Sequence, residues 1–412
     1  MGLNQTPAAE RVHIAFFGRR NAGKSSLINA VTGQELSVVS DRKGTTTDPV
    51  YKTMELLPIG PVVIIDTPGY DDEGDLGELR VKKTRQVLNR TDCGILVVDA
   101  TVGMGECERA LIALFEERKI PYLVVWNKAD ADNAKKPETG GCREGMKSGN
   151  GCEPLSVSAK TGAGIYELKE CIGVLLHTEE EKRRLIGDKI EPGAVAVLVV
   201  PIDEAAPKGR LILPQQQTIR DILDAEGMPL VVKDTGLARA FSALKDKPAM
   251  VITDSQVFGK VAKQVPEEVP LTSFSILMAR YKGFLSMAVE GVRTLENLQD
   301  GDKILISEGC THHRQCGDIG TVKLPAMIRK FTGTEPEFVF TSGKDFPEDL
   351  NGIRLIIHCG GCMLTERELS YRKKTAEEEK VPFTNYGIAM AHMNGILARS
   401  VAMFPEVAEL LR

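Results

Sequence analysis

The chain has 412 residues, of which 42% are hydrophobic and 26% charged, and its formal net charge is -5. This length suits two or three domains, each with its own core. The negative charge argues against binding of nucleic acid through the overall field of the protein. No apolar run approaches the roughly 20 residues that span a bilayer, and the first residues lack the pattern of a signal peptide. We therefore expect a cytoplasmic protein with reduced cysteines and no membrane association.

The first chemical motif is a glycine loop between a predicted strand and a predicted helix. The strand covers residues 12–17, and the loop begins at Gly18. Backbone N–H groups of such a loop bind phosphate, assisted by the helix N-terminus. We expect Lys24 to reach the outer phosphates and the Ser25 hydroxyl to bind Mg²⁺. The predicted phosphate-binding residues are Asn21, Ala22, Gly23, Lys24, Ser25 and Ser26.

Two further motifs are expected at the terminal phosphate. The polar stretch 44–48 contains Thr46, which could supply a second hydroxyl to Mg²⁺. A predicted strand at 62–65 ends in Asp66-Thr-Pro-Gly69, which places a carboxylate and a glycine beside the phosphate. The predicted catalytic residues are Lys24, Thr46, Asp66 and Gly69.

Two more motifs predict the base that is bound. Asp130 can accept two hydrogen bonds from the guanine ring N–H and amine, and adenine offers no such pair. Five motifs in this order favour GTP over ATP. The predicted base-binding residues are Asn127, Lys128, Asp130, Ser158, Ala159 and Lys160.

These motifs resemble the TrmE–Era branch of the translation-factor-like GTPases. Tyr70 follows the Asp66–Gly69 motif, where Ras-like enzymes carry a water-orienting glutamine. The resemblance implies that Asn21 helps to hold K⁺ beside the phosphates, where this ion would take the role of an arginine finger. We expect slow GTP hydrolysis that potassium stimulates.

The charged run 179–184 predicts a domain boundary. Strands and helices alternate after it, which is typical of a parallel sheet covered on its faces. We find no catalytic set in this middle stretch and expect it to mediate dimerisation. The predicted fold is α/β: a P-loop GTPase domain (1–180), followed by two smaller α/β domains with parallel sheets, a middle dimerisation domain (181–268) and a metal-binding domain (269–412).

A split set of cysteines and histidines follows two predicted strands of the last domain. The strands cover 303–307 and 353–357, and the set reads Cys310-x-His312 and His358-Cys359-x-x-Cys362. Because the carboxyl ends of parallel strands meet at one sheet edge, we expect both groups to converge there. Three thiolates and a histidine suit zinc or an iron–sulfur cluster, and the spacing does not decide between them.

The whole arrangement resembles the HydF family, the GTPase maturation factors of di-iron (FeFe) hydrogenases. The resemblance implies that Cys310, Cys359 and Cys362 bind a 4Fe–4S cluster, with His312 or His358 as candidate fourth ligand. Cys316 departs from the family pattern and could compete for that fourth position. It also implies a scaffold that carries a di-iron subcluster precursor to the apo-hydrogenase. The implied partners are that apoprotein, two radical-SAM maturases and a second copy of the chain in a homodimer.

Two alternatives stay open at this point. One is an RNA- or ribosome-associated TrmE/Era-type GTPase with a zinc-stabilised C-terminal domain, which predicts a basic face with aromatic residues. The single Trp, seven Tyr and negative charge count against it. The other is a metal-sensing regulatory GTPase, for which no output domain is recognisable.

Overall fold

The computed structural model describes residues 8–33, 49–57, 59–70, 83–135, 153–176, 183–201, 211–309, 319–343, 345–347 and 349–411. The chain divides into two compact units, Met1–Glu180 and Glu181–Arg412. Within the described ranges, none of the helices combines the length and apolar character that crossing a bilayer requires.

The first unit is built on a six-stranded sheet in the order β2-β3-β1-β4-β5-β6, in which β2 pairs antiparallel to β3 and the other pairs are parallel. The strands are β1 Val12–Phe17, β2 Val50–Leu56, β3 Gly60–Asp66, β4 Cys93–Asp99, β5 Tyr122–Asn127 and β6 Leu155–Ser156. The helices are α1 Lys24–Thr32, α2 (described over 83–88), α3 Glu106–Glu117 and α4 Ile165–Leu176, after a 3₁₀ turn at Ala8–Glu10.

Side chains of this sheet are buried on both faces. Along β1, Ile14 and Phe16 belong to one apolar cluster, whereas Ala15 and Phe17 belong to another on the opposite face. A parallel sheet covered on both sides therefore explains why these strands read as continuous apolar runs in the sequence.

The second unit contains two four-stranded parallel sheets. Their orders are β8-β7-β9-β10 and β12-β11-β13-β14, so each places its first strand between its second and third. The strands are β7 Val195–Val199, β8 Met228–Val232, β9 Met250–Thr253, β10 Leu271–Ser273, β11 Lys303–Glu308, β12 Glu337–Ser342, β13 Ile353–His358 and β14 Phe383–Asn385. The predicted α/β fold with parallel sheets in the later part of the chain is confirmed.

The helices of this unit cover the sheets and join them into one apolar core. They are α5 Leu213–Asp224, α6 Leu237–Ala243, α7 Phe258–Ala262, α8 Phe274–Tyr281, α9 Leu285–Gly291, α10 Leu324–Thr332, α11 Glu366–Glu378, α12 Tyr386–Met393, α13 Leu397–Val401 and α14 Pro405–Ala408. Short 3₁₀ turns lie at Gly187–Lys189, Asp234–Gly236, Ser255–Val257, Val292–Asn297 and Glu409–Leu411, and a π turn at Ile319–Lys323.

The two sheets meet through equivalent elements. Each last strand ends in a residue that caps the next helix: Ser273 accepts from the Ile276 amide, and Asn385 from the Ile388 amide. A Cβ on Gly387 would lie 2.3 Å from the Ser275 Cβ, so α8 and α12 cross in close contact. Since β10 pairs with β9, the first of these sheets extends past residue 268, and the predicted domain boundary at that residue stays a proposal.

Candidate functional site

The glycine loop of the first unit has the tight backbone that its sequence predicts. It connects β1 to α1, and Asn21 and Gly23 have φ angles of 60° and 87°. A Cβ on Gly23 would lie 2.3 Å from Nδ2 of Asn127, and one on Gly18 would lie 2.3 Å from the Val97 carbonyl oxygen. Glycine is therefore required at both positions, because the loop packs directly on β4 and on the end of β5.

The predicted phosphate and magnesium groups lie together at this loop. Lys24 is buried, and its Nζ donates to the carbonyl oxygens of Gly18 at 3.0 Å and Arg19 at 2.8 Å. The Ser25 hydroxyl donates to Oδ2 of Asp66 at 2.6 Å. The structure thus joins the hydroxyl that the sequence assigns to Mg²⁺ with the carboxylate that it assigns to the terminal phosphate.

The remaining predicted catalytic residues divide between described and undescribed parts. A Cβ on Gly69 would lie 2.8 Å from the Arg20 backbone nitrogen, so Gly69 contacts the phosphate loop. Thr46 lies outside the described residues. The catalytic role of these residues stays a prediction.

The base-recognition motifs are tied to the phosphate loop by hydrogen bonds. Asn127 donates to the Ala22 carbonyl at 3.1 Å and accepts from the Ala159 amide at 3.1 Å. Lys128, which has a positive φ of 65°, donates from Nζ to the Asn21 carbonyl at 2.8 Å. The loop for phosphate and the loops for the base are therefore held as one assembly.

Asp130 stands ready to accept from a base. The Ser158 hydroxyl donates to its Oδ1 at 2.7 Å and holds the pKa of this exposed carboxyl below its usual value. Lys160, also exposed, adds to that lowering through its charge. An ionised carboxylate is the form that accepts hydrogen bonds from two N–H groups.

Sequence reasoning missed two supports of this site. Nζ of Lys128 contacts Oδ2 of Asp99 at 2.5 Å. Burial raises the pKa of Asp99, but hydrogen bonds from Lys128 and Thr101 outweigh that effect, so the pKa is lowered overall. Arg19 pairs with the buried Glu108 at 2.7 Å, which anchors the phosphate loop to α3. The position of Asp99 at the end of an apolar strand was a usable signal. Glu108 is marked locally only as a helix-capping residue that accepts from the Gly105 amide, and that position does not predict its pairing with Arg19.

The cysteine loop, residues 359–362, begins where β13 ends, next to the end of β11. The register pairs Ser307 with His358, and the Cys359 amide donates to the Ser307 carbonyl at 2.9 Å. Sγ of Cys359 accepts from the Gly309 amide at 3.0 Å and from the Gly361 amide at 3.4 Å. The chain that leads directly into residue 310 is therefore in contact with the Cys359 sulfur.

These contacts fit a thiolate that binds a soft metal or a cluster. Cys359 and Cys362 are both partly buried, and neither is in a disulfide. Burial raises the pKa of Cys359, and the two amide donors oppose that shift because they stabilise the charged sulfur. A Cβ on Gly360 would meet nothing within 4 Å, so there is open space at this position between the two cysteines.

The rest of the predicted ligand set is not brought together within the described part of the chain. Cys310, His312 and Cys316 lie outside the described residues. Among the residues that are described, no group of three or more histidine, cysteine or acidic side chains could hold a metal. The ligand roles of the three cysteines stay predictions.

His358 has a geometry that counts against a role as fourth ligand. The ring is fully buried; Nδ1 lies 2.7 Å from the Cys359 carbonyl oxygen, and Nε2 lies 3.1 Å from Nη1 of Arg372. A carbonyl only accepts, so Nδ1 carries the proton and Nε2 accepts from the guanidinium. Burial, assisted by the Arg372 charge, lowers the pKa of His358 to about 3, so the ring is neutral.

The fold and the first site define this chain as a P-loop GTPase followed by two parallel α/β modules. Residues 13–128 match the family described as "50S ribosome-binding GTPase". Residues 185–283 match the "Hydrogen maturase F dimerization domain" and residues 286–403 the "Hydrogen maturase F tetramerization domain". The chain belongs to the hydrogen maturase F family, as its resemblance to HydF predicted.

The curated relatives confirm the GTPase branch and support GTP hydrolysis by the GTPase domain, and its stimulation by potassium stays a prediction. The tRNA modification GTPase MnmE of Laribacter hongkongensis is 35% identical over 164 residues, which cover 40% of this chain and 34% of that protein. GTPase Der of Kosmotoga olearia is 35% identical over 135 residues, covering 32% and 30%. The chain thus spans about a third of the length of these relatives, and GTP with Mg²⁺ is the nucleotide complex that its GTPase domain supports.

Solved structures also align with part of the chain. The G domain of the FeoB iron transporter of T. maritima is 26% identical, with a TM-score of 0.30, over 40% of this chain and 99% of that one. Era in complex with MgGDPNP and a segment of 16S ribosomal RNA is 20% identical, with a TM-score of 0.33, over 54% and 94%.

Proposed function

We propose that this protein is a GTP-hydrolysing scaffold of hydrogenase maturation that holds a 4Fe–4S cluster and carries a di-iron subcluster precursor to the apo form of an FeFe hydrogenase. Cys310, Cys359 and Cys362 would hold the cluster through their thiolates. When bound, the cluster supplies an iron with an exchangeable fourth position, to which a bridging ligand of the precursor can attach.

The observation that carries this proposal is the Cys359 sulfur with its two amide donors. Backbone N–H groups at 3.0 and 3.4 Å favour the charged sulfur that binds iron. One of the donors, Gly309, directly precedes Cys310 in the sequence. Gly309 and Cys359, which border the two halves of the split set, thus meet at the same edge of the sheet, and this contact supports a shared cluster.

GTP binding and hydrolysis would control partner affinity and not the assembly chemistry itself. Ser25 and Thr46 would hold Mg²⁺, with Asp66 beside the Ser25 hydroxyl, and Asn21 would help to hold K⁺ beside the phosphates. Asn21 also accepts from Lys128 through its carbonyl, which links the K⁺ position to the base-recognition loop. We expect hydrolysis to gate the release of the radical-SAM maturases.

Self-association is part of the same proposal. The two family domains that match residues 185–283 and 286–403 are described as dimerization and tetramerization domains. The proposed scaffold is therefore an oligomer with at least a homodimer as its unit, and the apo-hydrogenase is the acceptor of its cargo.

The test is anaerobic reconstitution with iron and sulfide, followed by metal analysis and EPR of the reduced protein. The wild type and Cys171→Ala, a matched variant in α4 of the other unit, should acquire the cluster signal, and Cys359→Ala should not. Activation of apo-hydrogenase by the loaded protein tests the carrier role. A wild type that takes up zinc alone and shows no cluster signal would refute the scaffold.

A further inference from the structure

Arg372 is the largest fully buried side chain among the described residues, and it lies beneath the cysteine loop. It belongs to α11 and forms an ion pair with Glu368, one turn earlier, at 2.9 Å. Glu368 is itself only 3% exposed. Removing two charges from water is costly, and packing of the fold alone does not require such a pair.

All five N–H donors of Arg372 are engaged. Nε donates to Glu368 at 3.1 Å, and Nη2 donates to Glu368 at 2.9 Å and to the Gly343 carbonyl at 2.7 Å. Nη1 donates to the Ser307 hydroxyl at 3.2 Å and to Nε2 of His358 at 3.1 Å. Ser307 lies near the end of β11, Gly343 follows β12 and His358 ends β13, so one guanidinium joins three neighbouring strand ends.

His358 passes this positioning on to Cys359. Its Nδ1–H donates to the Cys359 carbonyl at 2.7 Å, while the Cys359 amide donates to the Ser307 carbonyl at 2.9 Å. Both partners of the Cys359 backbone, His358 and Ser307, are also partners of Arg372. The direction of the Cys359 side chain therefore depends on the guanidinium.

The described part of the first sheet in the same unit offers a comparison, because its strands have the same order. In the first sheet Val199 pairs with Val232 and Thr253. At the equivalent register positions of the second sheet, Ser307 pairs with Thr341 and His358, so larger or more polar side chains replace apolar or small ones. Among the described residues around the first sheet no arginine is fully buried, so the strand order itself does not require one. We therefore attribute the polar set of the second sheet to the loop that follows it.

We propose that Arg372, held by Glu368, is a positioning residue for the Cys359 thiol, and that His358 transmits this positioning instead of binding iron. The inference rests on the proposed cluster site. It assigns the buried network a function in the ligand geometry and leaves the fourth iron position to another group.

The first test uses the protein without iron. Arg372→Lys keeps the charge but has three donors in place of the planar fork of five. Alkylation of Cys359 at fixed pH, followed by peptide mass spectrometry with Cys171 as internal reference, should become about tenfold faster or more as the loop opens. Arg354→Lys, a half-exposed arginine on β13, should leave the rate unchanged. Equal rates in wild type and Arg372→Lys would overturn the proposal.

Circular dichroism checks that the variants fold. If Arg372→Lys does not, the paired variant Arg372→Met with Glu368→Leu removes both charges together, which buried ion pairs often tolerate. It should show the same faster alkylation of Cys359, and a wild-type rate in this folded variant would equally overturn the proposal.

The second test uses reconstituted protein labelled with nitrogen-15 histidine. The amide of His358→Gln retains a donor for the Cys359 carbonyl and an acceptor for Arg372. This variant should therefore keep the wild-type iron content and any histidine nitrogen coupling seen by pulsed EPR, while Arg372→Lys should lose iron to a chelator several-fold faster. Loss of that coupling in His358→Gln would show that His358 binds iron and refute the inference. A wild type without any cluster would refute the proposed function instead, and alkylation would still decide the positioning role.

Discussion

Gly23 offers a direct test of how the nucleotide site is built. In Gly23→Ala the new methyl group would meet Nδ2 of Asn127 at 2.3 Å, on a backbone with φ of 87°. The methyl group should displace the Asn127 side chain, which bonds to the Ala22 carbonyl and the Ala159 amide. The substitution therefore acts on phosphate loop and base pocket together.

The magnitude follows from two separable costs. An alanine at positive φ costs about 1–2 kcal/mol. Loss of the two Asn127 hydrogen bonds adds about 1–3 kcal/mol. Gly33→Ala is the matched control, because Gly33 also has positive φ, at 65°, and its Cβ would meet nothing within 4 Å. The difference between the variants isolates the clash and predicts an additional loss of GTP affinity of about 5- to 150-fold.

The assay uses the single tryptophan of the chain. Trp126 lies in β5 next to Asn127 and is buried, so its fluorescence in urea reports unfolding of the GTPase unit. Titration with a fluorescent GDP analogue gives the affinity of each variant. If Gly23→Ala and Gly33→Ala lose stability and affinity equally, the contact between phosphate loop and Asn127 does not organise this site and the reasoning is wrong.

Three shorter predictions concern other residues. Asp130→Asn should lower the preference for GTP over xanthosine triphosphate at least about tenfold, since an amide replaces one acceptor by a donor. Competition binding measures this preference, and unchanged selectivity would contradict the assigned role of Asp130. Asn21→Gly keeps the positive φ but should abolish potassium stimulation of GTP hydrolysis, which rates in KCl and NaCl would show; persistent stimulation rejects the proposed K⁺ position. A hydrogen bond from Arg280 lowers the pKa of Asp188 below 3.8, so its stabilisation is present above pH 3.8 and lost as pH falls through the lower folded value. Asp188→Asn should thus cost up to about 1 kcal/mol near pH 7 and nothing in strong acid, and a cost that does not vary with pH would exclude the ion pair.

Much of the fold could be predicted because the relevant signals are local. The apolar run before the glycine loop is β1, and the runs predicted at 303–307 and 353–357 are β11 and β13, apart from one residue at the end of each. The three-residue strands β10 and β14 gave no such signal, because alternation cannot be read over so few positions. Their pairing depends on contacts across the unit, which no local pattern encodes.

The candidate site was predictable only where chemistry requires particular residues at fixed spacing. The Gly23–Ser25 loop and Cys359-x-x-Cys362 are of this kind. The assignment of His358 was less secure, because a histidine beside a cysteine can bind metal or support its neighbour. Here both nitrogens of the buried ring are engaged, which favours support of the neighbour, and the ligand role stays a prediction.

The Glu368 and Arg372 pair shows the limit most clearly. Acidic and basic residues four apart on a polar helix normally form a solvated surface pair, and α11 reads that way. Yet Glu368, Leu369, Arg372, Thr375 and Ala376 are its buried residues, spaced as one helix face. The helical spacing predicts which face of α11 is buried. Only the polar groups at the ends of β11, β12 and β13 explain why charged side chains lie on that face. The burial of Arg372 is explained by its acceptors, which lie together at the carboxyl edge of the second sheet. The loop with Cys359 and Cys362 begins at that same edge.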